Sequence, residues 1–155
     1  MNSSEARGLI AVDKMGGKVL FLDPVTYATI KILDDFERVP HELLAMPESS
    51  IACVPIYGDG IHGRNPHPGH LLSIIDLEKR ERVCDIDLSP HIAPHGLQIG
   101  PDGLLYVTCE NSSVVAGGNP VSTGTRNVAP NIATTCWAPI PAVRSQLSRS
   151  CGATT

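Results

Sequence analysis

The sequence predicts an all-β chain, a partial β-propeller of four-stranded antiparallel blades followed by a disordered C-terminal tail. Three observations predict it. Pro40-His41-Glu42-Leu43 recurs 54 residues later as Pro94-His95-Gly96-Leu97. Short apolar runs alternate with turn residues, and 14 glycines and 13 prolines leave little room for long helices. Val19-Leu20-Phe21-Leu22-Asp23 also returns, 53 residues on, as Leu72-Ser73-Ile74-Ile75-Asp76. Internal repetition of this kind marks a stacked-repeat architecture.

Each element follows from its pattern. The first strand of a repeat alternates, with His95, Leu97 and Ile99 on one side. It ends in a turn, Gly100-Pro101-Asp102-Gly103 in one copy and Met46-Pro47-Glu48-Ser49 in the other, where proline presets φ. The second strand, Ile51–Ile56 or Leu104–Cys109, is almost wholly apolar, as a strand buried on both faces requires. The third is Lys18–Leu22 or Leu71–Ile75, closed by Asp23 or Asp76, whose carboxylates can hold the next turn. In the fourth, Ile30, Ile32, Cys84, Ile86 and Leu88 are expected to face inward, and Val83, Asp85 and Asp87 outward.

Ile10-Ala11 pairs with Ile51-Ala52 at a spacing of 41. The second copy therefore carries an insertion of about 12 residues within Tyr57–His70, and the underlying repeat is near 42 residues, a blade's length. The expected organisation is a disordered segment 1–7, blades (partial, full, partial) over 8–116, and a low-complexity tail over 117–155.

Several of these residues resemble the YVTN-type β-propeller repeat family, the YncE-like proteins. The resemblance lies in Pro94-His95-Gly96-Leu97, Gly100-Pro101-Asp102-Gly103 and Leu105-Tyr106-Val107-Thr108 with Glu110-Asn111, and covers about residues 8–116. It implies the propeller fold and says little about function. Members of the family are often exported.

Composition excludes some classes. The net charge of −4 argues against nucleic acid or an anionic membrane as partner. No apolar run is long enough for a transmembrane helix, and Met1–Arg7 is polar, so the default expectation is cytoplasmic. Cys53, Cys84 and Cys109 lie in apolar runs and read as buried reduced thiols; Cys136 and Cys151 lie in the tail. All 16 acidic residues precede Gly117, and the tail carries only Arg126, Arg144 and Arg149 as charges. It shows neither strand nor helix periodicity.

The insertion holds the candidate chemistry. Asp59, His62, His67 and His70 fall within 14 residues rich in glycine, and imidazole and carboxylate suit a divalent metal such as zinc. His41 and His95 occupy one position in successive repeats, at the start of the innermost strand, where a propeller brings neighbouring blades together. His41, His62, His67, His70 and His95 with Asp59 form the candidate metal set, a divalent ion the candidate cofactor. The structural reading of the same residues is a stiff solvated hairpin and a Pro-His that bonds the adjacent backbone. Asp59 with Glu110 or Asp102 is a weaker acid–base candidate.

The expected function is a binding or interaction module for a small molecule or a protein. The alternative is a lactonase- or isomerase-like propeller enzyme acting on a small molecule through the histidine cluster. A third possibility is a truncated product. Two to three blades leave open edges, so self-association is also expected.

Overall fold

The computed structural model describes residues 8–46 and 49–120, and over these the chain is all-β. The expected segment 1–7, residues 121–155 of the expected tail over 117–155, and the turn residues Pro47 and Glu48 lie outside the described residues.

Three antiparallel sheets follow one another along the chain. The first is β1 (Leu9–Asp13), β2 (Lys18–Leu22) and β3 (Thr29–Leu33), in that order. The second has five strands: β4 (Val39–Pro40) and β5 (Leu44–Ala45) both pair β6 (Ile51–Gly58), which continues to β7 (Pro68–Asp76) and β8 (Glu81–Asp87). The third is β9 (Pro94–Ile99), β10 (Leu105–Cys109) and β11 (Val114–Gly118). β11 thus runs two residues past the boundary expected at 116.

Strand register makes the repeat quantitative. Pro40 pairs Ile56 as Pro94 pairs Cys109, and Ala45 pairs Ala52 as Ile99 pairs Leu105. The inner strands therefore correspond at a spacing of 54, but the second strands at 53. The turn after β5 has six residues, 46–51, against five, 100–104, after β9. The spacing of 54 read from Pro40 and Pro94 therefore holds for the inner strands and not for the strands after them.

The insertion is also smaller than the sequence suggests. Fourteen residues separate the paired Ile56 and Leu71, against four between Asp13 and Lys18 and four between Cys109 and Val114. Relative to both neighbours the second sheet carries ten extra residues, not twelve, and β1 corresponds to β6 at a spacing of 43. Apolar residues alternate similarly in both strands, so the sequence match slipped by two without changing face.

Turns behave as their residues dictate. Asp23 Oδ1 accepts the N–H of Val25 (2.9 Å) and Thr26 (2.7 Å), and Asp76 Oδ1 that of Glu78 (3.0 Å) and Lys79 (2.9 Å). These repeated bonds hold the third strand's end in the same turn.

The central sheet is buried on both faces, as its apolar runs require. Ala52, Val54, Ile56 and Ile75 pack against Val19, Phe21 and Leu33 of the first sheet. On the opposite face Cys53, Leu72, Ile74, Ile86 and Leu88 pack against Leu105, Val107 and Cys109 of the third. Burial pushes the Cys53 thiol up to about 12 and Cys109 to about 11, so both stay protonated and inert.

Two facing expectations change. Ile30 and Ile32 are exposed, at 45% and 42%. Leu33 pairs with inward-facing Val19, so Ile32, paired with Leu20, turns to the other face. Asp85, expected outside, is half-buried because Ser73 donates to it at 2.6 Å and Arg82 bonds its other oxygen. Arg82 also reaches Asp35 at 2.8 Å, tying β8 to the segment after β3.

The insertion leaves β6 through a bulge at Gly58 and returns at Pro68. A Cβ on Gly69 would collide with the Ile56 carbonyl, so the two strands approach too closely there for any side chain. Gly69→Ala is expected to destabilise the chain by about 1–3 kcal/mol in chemical unfolding, as overpacking commonly does.

Candidate functional site

The corrected spacings place five polar residues at one end of the sheets. His41 directly follows Pro40, the last residue of β4, and His95 follows Pro94, the first residue of β9. Lys14 and Glu110 directly follow the last register pairs of their strands, at Asp13 and Cys109, and Tyr57 follows the equivalent pair at Ile56, where the β6 ladder shifts before its final pair of Gly58 with Pro68. They occupy one equivalent position in three successive sheets.

These repeat-related residues touch. The Tyr57 hydroxyl donates to Glu110 Oε2 at 2.7 Å, and the Lys14 ammonium lies 5.1 Å from the centre of the Tyr57 ring. That ammonium–ring distance is within cation–π range. The His41 and His95 rings are 4.0 Å apart, centre to centre, and Tyr57 packs against them at 5.0 and 5.3 Å. Tyr57 is fully buried, whereas both histidines are half-buried. The cluster is a compact group of packed rings with charged groups beside them.

Electrostatics follow from that packing. Burial holds the His41 imidazole well below its ordinary value, at about 4, helped by the neighbouring His95 and Lys14. His41 is therefore neutral at pH 7. Its Nδ1 is buried and has no hydrogen-bond partner. Burial and the Glu110 carboxylate push the Tyr57 phenol up to about 12. Burial alone would raise Glu110, but the Gly63 N–H, the Tyr57 hydroxyl and His62 outweigh it and bring the carboxyl to about 2.

The insertion is anchored across the sheets. Glu110 Oε1 accepts the Gly63 N–H at 2.7 Å, and His62 Nδ1 lies 3.1 Å from Oε2. Within the loop, Asn65 donates to the Tyr57 carbonyl at 2.9 Å and His67 Nδ1 meets Asp59 Oδ2 at 2.6 Å. That His67 contact lowers Asp59 below the usual carboxylate range.

No protein-family model matches this chain, and no curated protein matches it.

The six expected site residues are thus placed in four groups. His41 and His95 come together. His62 connects to them only through Glu110 and Tyr57. His67 pairs with Asp59, and His70 Nε2 lies 4.0 Å from Asp87. Among the described residues, the one set of three metal-ligating side chains whose ligand atoms lie within 4.8 Å of one another is His41, Glu42 and His95.

Sequence reasoning missed Glu42, Lys14 and Tyr57. Glu42 was legible as the neighbour of a repeated histidine, but its second-copy counterpart is Gly96, so the repeat itself does not flag it. Lys14 aligns with Tyr57 at a spacing of 43 and Tyr57 with Glu110 at a spacing of 53, and the three share no chemistry.

The acid–base candidates are engaged. Glu110 carries the contacts above, Asp59 is held by His67, and Asp102 Oδ2 accepts the Tyr106 hydroxyl at 2.7 Å. All three carboxyls lie below their ordinary range. A general acid or base near neutral pH needs the opposite shift.

Proposed function

We propose that the chain is a propeller-type repeat module that binds a small polar ligand at the sheet-end cluster formed by Lys14, His41, Tyr57, His95 and Glu110. One observation carries this reading: equivalent positions in successive sheets deliver unlike polar side chains to a single cluster. A purely structural repeat position tends to keep one residue type, because its task is the same in every copy. Here the position holds lysine, tyrosine and glutamate in turn.

The propeller reading draws on the strand order, the repeated register and a 43-residue spacing within the range of blade repeats. The resemblance to YVTN-type repeats points the same way. Binding is favoured over acid–base catalysis because Asp59, Asp102 and Glu110 are all held ionised by their own partners. The metal-dependent alternative keeps one support, the His41–Glu42–His95 set.

Ligand-observed NMR with a panel of small carboxylates, sugars and amines tests the binding reading. At least one compound is expected to bind the wild-type chain and to be lost from both Lys14→Met and His95→Gln. Both positions are half-buried, so these variants retain the core. Hits that bind all three proteins equally, or a panel without hits, would sink it.

A further inference from the structure

We propose that His41, Glu42 and His95 form a binding site for one first-row divalent cation, with zinc the natural probe. This inference deepens the reading above, since it names an inorganic ligand for the same cluster, and it rests on that reading for the site's accessibility.

The donor set is chemically specific. Two imidazoles and one carboxylate are the three-ligand set of open zinc sites and the facial triad of other divalent ions. The ligand atoms come from two successive sheets and all lie within 4.8 Å of one another. His95 Nδ1 and Glu42 Oε1 are 3.4 Å apart. Ligands about 2.0–2.1 Å from a tetrahedral ion stand about 3.3–3.4 Å from each other, so this pair already has the required separation.

A second observation is independent of the donor count. His41 Nδ1 is buried without any hydrogen-bond partner. Buried polar atoms are nearly always paired, and an unmet one calls for a reason such as an ion. The two imidazole rings pack 4.0 Å apart, close enough for one cation to bridge their nitrogens. All three residues are half-buried, which leaves room for water in the remaining coordination position.

The set differs from the insertion histidines. His67 and His70 have carboxylate neighbours of their own, Asp59 and Asp87, outside the set. They therefore serve as internal controls.

The test uses the full chain, stripped with chelator and titrated with Zn²⁺ by calorimetry, with Co²⁺ as a spectroscopic stand-in. One equivalent is expected to bind. His95→Ala, His41→Ala and Glu42→Gln should each weaken binding by at least about tenfold, since even outer-shell partners of a metal cost that much. His67→Ala and His70→Ala should bind as wild type. Co²⁺ should give visible bands in wild type that disappear in Glu42→Gln, a variant that keeps shape and fold. Circular dichroism identifies any variant that has unfolded, and Glu42→Gln then decides. Wild-type protein that takes up no Zn²⁺, or Zn²⁺ that binds Glu42→Gln and His95→Ala undiminished, overturns the metal site. If NMR ligands bind wild type and are lost from Lys14→Met while Zn²⁺ does not bind, the binding module stands and only the metal falls.

Discussion

Ile75→Ala is expected to lower the unfolding free energy by about 3–4 kcal/mol, within the range for large-to-small changes at closed core sites. Ile75 is fully buried and packs among Val19, Phe21, Ala52 and Val54, at the junction of the first and second sheets. Both walls of that junction are β-sheet, whose backbones cannot easily collapse into a void. A domain's total stability is only about 5–15 kcal/mol, so the loss is a large share of it. Ile30→Ala is the control. Ile30 is 45% exposed on the other face of the first sheet, and its change should stay within about 1 kcal/mol. Urea unfolding monitored by circular dichroism measures both. Similar effects for the two variants would contradict the assignment of the core to the sheet junctions.

Glu110→Ala is expected to cost about 2–4 kcal/mol, because charged hydrogen bonds are strong and a buried donor left unmet is penalised. Its carboxylate is 18% exposed and serves the Tyr57 hydroxyl, the Gly63 N–H and His62 at once. The Tyr57 ring is fully buried, so water cannot readily replace the lost acceptor. The pH dependence has a definite sign. The folded-state value, about 2, lies below the ordinary 4.5. An unfolded chain therefore takes up this proton first as pH falls. The stabilisation from Glu110 is complete above about 4.5 and is lost as pH drops through about 2. Wild-type protein should lose stability more steeply over that window than Glu110→Gln, which carries no charge to titrate. Parallel curves would show that Glu110 is not held ionised by these contacts.

Much of the fold was legible because strand signals are local. The apolar run from Ile51 to Ile56 specifies burial on both faces, and Asp23 and Asp76 specify their turns within three residues. Facing was harder at β3: Ile30 and Ile32 alternate like core residues, yet the register from Val19 to Leu33 sends them to the other face. Nothing within β3 records that register, which is set by its partner. The length of the insertion erred for a related reason. Apolar strands match one another equally well after a slip of two, and only pairing removes the ambiguity.

The candidate site was half legible. His41 and His95 were visible as a repeated identity. Glu42 was hidden by the glycine in the other copy, and Lys14 and Tyr57 by their dissimilarity to Glu110, which was visible only as an acid–base candidate. Geometry alone relates a lysine, a tyrosine and a glutamate. The insertion histidines attracted attention by composition, but His67 and Asp59 satisfy each other within the loop, as close neighbours in a tight loop readily do.

The tie from Gly63 to Glu110 has a consequence for the order of assembly. Each sheet pairs strands that lie close in sequence, with β4 reaching past β5 to β6 as the one skip among the described strands, so each can form from short-range contacts. The insertion cannot settle in that way, because its anchor is made 47 residues later. The core shared by the first two sheets uses only residues that precede Glu110, so it does not depend on the loop's acceptor. The Gly63 and Tyr57 bonds both end on Glu110, so the loop and the aromatic cluster can be tied down only once that residue is in place. A chain cut before Glu110 would therefore keep every residue of the junction around Ile75 but lack the acceptor on which the site depends.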